Sequence, residues 1–247
     1  MSDLIATFLI AAVPVVIAIT LHEAAHGYAA WAMGDDTARN AGRLSLNPLR
    51  HVDRVGTILL PGFLLLSQLL TIGRVAFMFG WAKPVPVAPW RFRDPRRGMM
   101  FVAAAGPAMN FLLAWLGALA LHVLPFGVRT PHGAEMELEG VTVFIVANLA
   151  LGLFNLLPIP PLDGGRIAVG LLPLPIAKAW ARMERAGIFL VLILLFLLPA
   201  ALHEFGIAFD PVRQYLGNAV LWASRIVLWL GGSSAFLPVI FGDGSNI

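Results

Sequence analysis

Apolar residues run along this chain in long blocks, and polar or breaker residues mark where each block ends. Leu4 to about Met33 is one such block. As a helix rising about 1.5 Å per residue it reaches ~45 Å, more than the ~30 Å hydrocarbon core of a bilayer. Pro14 is a candidate kink, and Gly34-Asp35-Asp36 ends the segment. Residues 34–54 form a polar loop carrying Arg39, Arg43, Arg50 and Arg54. Val55–Ile72 is apolar again but holds Pro61-Gly62 at its middle, as a kinked span or a re-entrant hairpin would. In residues 73–98 the run GRVAFMFGWAKPVPV has too many breakers for a helix and predicts short extended strands.

The second half repeats the alternation. Met99–Leu124 predicts a clean span, residues 125–140 a loop with Glu135, Glu137 and Glu139, and Val141–Leu157 another span ending in NLLPIPPLDGGRI. Ile167–Leu172 is a short apolar piece, followed by Lys178, Arg182 and Arg185. Gly187–Leu202 and Val212–Leu230 are further helix candidates, with an irregular tail from Gly231. The pattern is that of an all-α polytopic membrane protein.

Composition agrees. The chain is 59% hydrophobic and 13% charged, against about 25% charged in soluble domains. With no cysteine, disulfides, thiolate metal sites and a cysteine nucleophile are excluded. The net charge is +3, but the basic residues sit between apolar runs, where membrane topology explains them better than nucleic acid does. The N-terminus, Met1-Ser2-Asp3, has no positive region of the kind that opens a signal peptide.

Of 17 Lys and Arg, 10 fall in residues 34–98. The positive-inside rule then puts both loops there, and the 178–185 cluster, on the cytoplasmic side, with 125–140 outside. The first span runs inward, 99–124 outward and 141–157 back in. Residues 55–72 must then enter and leave on one side, as a hairpin closed at Pro61-Gly62 would.

The candidate chemistry lies in the first block. LHEAAH places His22, Glu23 and His26 at the spacing where two imidazoles four residues apart share a helix face and bind one Zn²⁺. Glu23 lies one residue on, about 100° around the helix, within reach of a water rather than of the metal. It is the candidate general base. A chance pattern is the alternative. An ionisable group at bilayer depth costs about 2.5–3.5 kcal/mol, so three of them in VVIAITLHEAAHGYAA need a reason, and a shared metal supplies one. A catalytic zinc takes three protein ligands and leaves a fourth position open. His51 can at best approach from its loop; His132 falls in the external loop, and His122 and His203 at the external ends of spans. Asp163 follows PIPP, where prolines break the helix. It serves as ligand, as cap of the helix starting at DGGRI, or as both.

HEAAH in a first span, then NPLRHVDRVGTILLP, GWAKPVPV, AAAGPAMN and NLLPIPPLDGGR, in that order, resemble the site-2 protease family of intramembrane zinc metalloproteases over residues 20 to about 170. The resemblance implies one Zn²⁺ per chain, with Asp163 as third ligand beside His22 and His26. It implies a three-helix catalytic core at about 4–33, 99–124 and 141–165, with additional helices and a small membrane-associated β element at 73–89. The metal would lie inside the bilayer nearer the cytoplasm, in a bacterial cell (inner) membrane. Asn155 would hold the substrate carbonyl or oxyanion, as a catalytic residue. Asn148, and the Gly106-Pro107 and Asn110 segment, read as helix packing. The partners implied are a transmembrane protein substrate, which an open strand edge would receive as a further strand, and the lipid bilayer; no nucleic acid is expected. Loops of 16 to 26 residues leave no room for an inserted PDZ domain, and a short form without a C-terminal nucleotide-binding module is expected. A single membrane-embedded domain over 1–247 is expected, core about 4–172 and C-terminal helices about 186–230. Two other classes compete. A metal-ion transporter has no need of a base beside HxxxH and often shows repeated broken helices; one broken segment is visible. A catalytically inactive membrane binding protein would have no need of the complete set His22, Glu23, His26 and Asp163.

Overall fold

The structure is a computed structural model that describes residues 2–74, 80–123, 131–207 and 210–241. Among these residues all regular structure is helical. The elements are α1 (Ser2–Ala32), α2 (Thr37–Asn40), α3 (Leu60–Ile72), α4 (Pro95–Ala120), α5 (Pro131–Asn155), α6 (Asp163–Leu171), α7 (Leu174–Arg182), α8 (Glu184–Leu192), α9 (Leu198–Glu204), α10 (Pro211–Leu230) and α11 (Leu237–Phe241). Among the described residues, five helical stretches are long and apolar enough to cross a membrane: Leu9–Ala32, Arg54–Thr71, Pro95–Ala120, Met136–Asn155 and Ala186–Glu204. Pro14 lies inside α1 without ending it.

α4 is the centre of the bundle, packed on α1, α5 and α6. Its buried positions Gly98, Val102, Gly106, Asn110 and Ala114 recur every four residues. Lipid tails give no hydrophobic incentive for helices to associate, so close approach over small side chains does that work. A second set of contacts joins Ala114, Ala118 and Leu121 of α4, Ile145 and Leu149 of α5, and Val220, Ala223 and Val227 of α10. The opposite surfaces stay apolar. Leu59, Phe63, Leu66 and Leu70 form an exposed stripe along α3, which a soluble monomer would not leave uncovered.

Residues 54–72 correct the expected hairpin at Pro61-Gly62. A π-helical turn, Arg54–Leu59, runs without interruption into α3. Pro61 lies inside this continuous helix just after the π-helical turn, and the helix passes it without ending. The reversal comes later. Gly73, at φ +69°, ends the helix in the left-handed conformation. By Trp81 the chain is back at its starting level: Trp81 N–H donates to Gly56 O (3.1 Å) and Thr57 Oγ1–H donates to Trp81 O (2.9 Å). Residues 54 and 81 therefore do lie on one side.

The β element expected at 73–89 is also corrected. Residues 75–79 lie outside the described part, and the described remainder holds no strand. Residues 80–88 run as an irregular strap. Pro84, Pro86 and Pro89 cannot donate, and the strap's N–H groups reach scattered partners: Lys83 to His51 O (2.8 Å), Val85 to Glu23 Oε2 (3.2 Å) and Ala88 to Asp35 Oδ2 (2.6 Å). Arg43 donates to Lys83 O (2.5 Å) and to Arg50 O.

Two boundaries differ as well. α5 begins at Pro131, ten residues ahead of the expected span. The three glutamates that suggested a loop are good helix formers, and proline suits a first helical turn. At its other end α5 stops at Asn155, and α6 starts afresh at Asp163 instead of continuing one helix to 165. Ile167–Leu172 is the second half of α6.

Candidate metal centre

His22 and His26 lie one turn apart in the last third of α1, both facing α4. Gly106 is what admits them: a Cβ there would stand 2.5 Å from the His26 ring and 2.6 Å from His22. Asp163 reaches the same point from α6. Its helix can start there because Gly164 and Gly165 lack side chains; a Cβ on Gly164 would meet Leu156 O and Leu157 O at 2.3 Å, and one on Gly165 would meet Pro160 N at 2.6 Å. The broken NLLPIPP segment thus folds tightly over the first turn of α6.

The metal-binding atoms of His22, His26 and Asp163 all lie within 4.8 Å of one another. Asp163 Oδ2 is 3.2 Å from His22 Nε2 and 3.4 Å from His26 Nε2, and the two Nε2 atoms are 3.1 Å apart. His22 and Asp163 are buried.

Which ring nitrogens carry protons follows from their far sides. His26 Nδ1 lies 2.7 Å from Val102 O, which can only accept, so Nδ1 carries the hydrogen. For His22 the assignment runs through two buried amides. Asn148 Nδ2 donates to Phe144 O (2.8 Å), which turns Asn148 Oδ1 to accept from Asn110 Nδ2 (2.9 Å). Asn110 Oδ1 then faces His22 Nδ1 at 2.6 Å and takes its hydrogen. In the uncharged rings both Nε2 lone pairs are bare and face each other and a carboxylate oxygen. Asp163 Oδ2 is buried and accepts no hydrogen bond. Three such atoms, 3.1–3.4 Å apart with no proton among them, repel unless a cation lies between them. Ligand atoms 2.0–2.2 Å from one zinc in tetrahedral directions are about 3.4 Å apart. The residues present fit a zinc ion, and each histidine has the outer partner that fixes such ligands.

Glu23 does not join the three. Its Oε2 accepts the Val85 N–H of the strap, which leaves Oε1 for another partner. Asn155, at the end of α5, donates Nδ2–H to its own helix at Leu151 O (3.0 Å) and makes no hydrogen bond to the cluster. Sequence reasoning took Asn110 and Gly106 for packing. Both touch the histidines directly, and the available signal was a buried-type amide four residues after a glycine in an otherwise apolar span. Asn148, also read as packing, carried the same signal of an amide in an apolar span, whereas Val85 gave none.

A polytopic helical membrane protein with a buried His₂Asp centre beside an HExxH glutamate is of the membrane zinc metalloprotease class. Residues 125–199 match the family model for peptidase family M50. YwhC of Bacillus subtilis (strain 168), provisionally named a zinc metalloprotease, is 37% identical over 212 residues, 85% of this chain and 83% of that protein. Rip2 of Mycolicibacterium smegmatis (strain ATCC 700084 / mc(2)155), provisionally named likewise, is 30% identical over 183 residues, 74% of this chain and 64% of that protein. Rip3 of Mycobacterium tuberculosis (strain ATCC 25618 / H37Rv) is 48% identical over 67 residues, 27% of this chain and 16% of that protein. No solved structure gives a significant match. This chain belongs to peptidase family M50, the site-2 proteases.

Proposed function

We propose that the protein is an intramembrane endopeptidase that hydrolyses peptide bonds in membrane-spanning or membrane-proximal segments of other proteins, as in regulated intramembrane proteolysis. The observation that carries this reading is the convergence of two bare imidazole nitrogens and an unpaired carboxylate oxygen, with Glu23 beside two of them on α1, a helix long and apolar enough to cross a membrane, and Asp163 on the short α6.

His22, His26 and Asp163 hold one Zn²⁺ per chain. When bound, the ion supplies Lewis acidity to the hydrolytic water and to the scissile carbonyl. Glu23 takes the water's proton at Oε1 and passes it to the departing amine, while Val85 N–H keeps Oε2 in place. Asn110, through Asn148, holds His22 in the tautomer that offers Nε2. Asn155, the last residue of α5 before the break that leads to Asp163, steadies the substrate carbonyl or the oxyanion once substrate draws its amide from Leu151 O. The strap beside Glu23 is the natural place for an unwound substrate segment.

The unit is taken as one membrane-embedded domain over 1–247, core 4–172 and C-terminal helices 186–230, in a bacterial inner membrane with the site nearer the cytoplasm. The position of His22 and His26 near the end of α1 that leads to the arginine-bearing loop supports that side, and the bacterial origin of the relatives named above supports that membrane.

Incubation of purified protein with a synthetic transmembrane peptide in proteoliposomes tests the reading. Wild type cuts the peptide. Glu23→Gln keeps its zinc but loses at least the 10²-fold that general-base catalysis supplies. Wild-type turnover by Glu23→Gln would overturn the mechanism.

A further inference from the structure

Arg43 follows α2 and has no part in the chemistry above. It is only 7% exposed, and among the described residues no carboxylate pairs with it. A guanidinium keeps its charge at any pH a folded protein meets, and a buried charge needs compensation. Backbone carbonyls supply it here. Nη1 donates to Arg50 O, while Nη2 donates to Lys83 O (2.5 Å) and lies 3.5 Å from Pro84 O.

Pro84 O is one end of the Pro84–Val85 peptide group. The other end is Val85 N–H, which donates to Glu23 Oε2 at 3.2 Å. One planar peptide unit thus stands between a buried cation and the carboxylate that serves as base. A cation at the carbonyl oxygen draws electron density towards itself and makes the N–H a stronger donor, as successive hydrogen bonds polarise one another. Val85 has the only N–H in residues 84–86, because Pro84 and Pro86 have none. The helix is shaped for the same contact. Gly27 follows Glu23 by one turn on the same face of α1, and a Cβ there would stand 2.6 Å from Leu44 Cδ2 and 3.1 Å from Val85 Cγ1. The neighbour of Arg43 and the residue that holds Glu23 are therefore both seated on the bare backbone of Gly27.

We propose that Arg43 is a positioning residue for Glu23: it fixes and polarises the Pro84–Val85 peptide, whose N–H holds Glu23 Oε2 and leaves Oε1 to act as base. The effect on rate rests on the protease reading above, whereas the tie between Arg43, Val85 and Glu23 does not. Arg43 works through its charge as well as its bulk, since a neutral side chain in its place would leave the carbonyl unpolarised.

Zinc-loaded full-length protein in detergent micelles tests the tie through amide hydrogen exchange resolved residue by residue. Arg43→Gln is expected to speed exchange at Val85 roughly tenfold, the value of one hydrogen bond, and Glu23→Ala to do the same. Ala88, whose N–H is held by Asp35, keeps its wild-type rate in both. Arg43→Lys, which keeps the charge but not the fork, lies between. In proteoliposomes with a synthetic transmembrane peptide, Arg43→Gln lowers kcat roughly ten- to hundredfold, as expected for a hydrogen bond to a charged group. KM and zinc content stay unchanged, and Arg43→Lys recovers part of the rate. Val85→Pro removes the N–H, so adding Arg43→Gln to it lowers kcat no further. Wild-type exchange at Val85 or wild-type kcat in Arg43→Gln would overturn the proposal. So would faster exchange at Val85 and Ala88 together, or loss of zinc in both Arg43 variants, because Arg43 would then only hold the fold. A wild-type protein that cuts no peptide contradicts the protease reading, and exchange at Val85 still decides the tie.

Discussion

Two imidazoles can present bare Nε2 atoms to one point only if something else holds their Nδ1 hydrogens. Here a backbone carbonyl serves His26, and the Asn148–Asn110 pair serves His22. The chain of amides ends on Phe144 O, whose inability to donate sets the direction of every bond after it. Asn110→Leu keeps the volume and removes the acceptor. It is expected to weaken zinc binding about 10–100-fold, the usual cost of losing a ligand's outer partner. Competition with a chelator measures it, and unchanged affinity would refute the role of Asn110. The HExxH triplet was legible because its members share one helix turn. The amide relay was not, since Asn110 and Asn148 come from α4 and α5 and meet His22 only through the packing of three helices.

The strap is the element that the alternation of residues described least well. Its prolines and valines suggested strands, but Pro84, Pro86 and Pro89 remove the donors that a ladder needs. It is held instead by single bonds to Gly56, His51, Glu23 and Asp35. Asp35 is the strongest of these anchors. Fully buried just after α1, it accepts from Thr37 N–H (3.0 Å), Thr37 Oγ1–H (2.5 Å) and Ala88 N–H (2.6 Å), with Arg91 Nε 3.9 Å away. Burial pushes its carboxyl pKa up, but the Ala88 and Thr37 donors and the Arg91 charge outweigh that and hold it below the usual carboxylate range. A lowered folded-state pKa means that the ionised form favours the fold. The stabilisation is complete above about pH 4, the ordinary aspartate value, and is lost as pH falls below it. Exchange protection over residues 81–88, taken relative to the intrinsic amide rate at each pH, is therefore expected to be high at neutral pH and to fall in acid. Asp35→Ala should show fast exchange at neutral pH, with about 1–3 kcal/mol lost for each buried donor left unpaired. Equal protection in wild type and Asp35→Ala would show that the strap is anchored elsewhere. The hairpin illustrates the same limit of sequence reading: charge counting called for return to one side, but Pro-Gly was taken for the turn. The proline follows a π-helical turn and does not end the helix, and the left-handed residue, Gly73, is twelve positions further on.

At the scale of the whole molecule, the positive-inside rule applied to the basic residues of 34–98 predicts an orientation that can be tested. Because the chain has no cysteine, single cysteines report topology against an empty background. Ser45→Cys and Lys83→Cys should react with a membrane-impermeant maleimide only from the cytoplasmic side, and Val123→Cys only from the opposite side. Reaction of Lys83→Cys from outside would mean that α3 crosses the membrane without returning. Fold class was readable from the apolar blocks alone, whereas the register in which α4 lays Gly106 against the histidines depends on close helix contact that no local pattern encodes. Everything turns on whether three residues from α1 and α6 hold a metal. The most direct test is elemental analysis of detergent-purified wild type, Glu23→Gln and Asp163→Ala, side by side. About one zinc per chain in the first two and loss of zinc in the third is the expected result. Full zinc in a folded Asp163→Ala protein, or none in wild type, would contradict it.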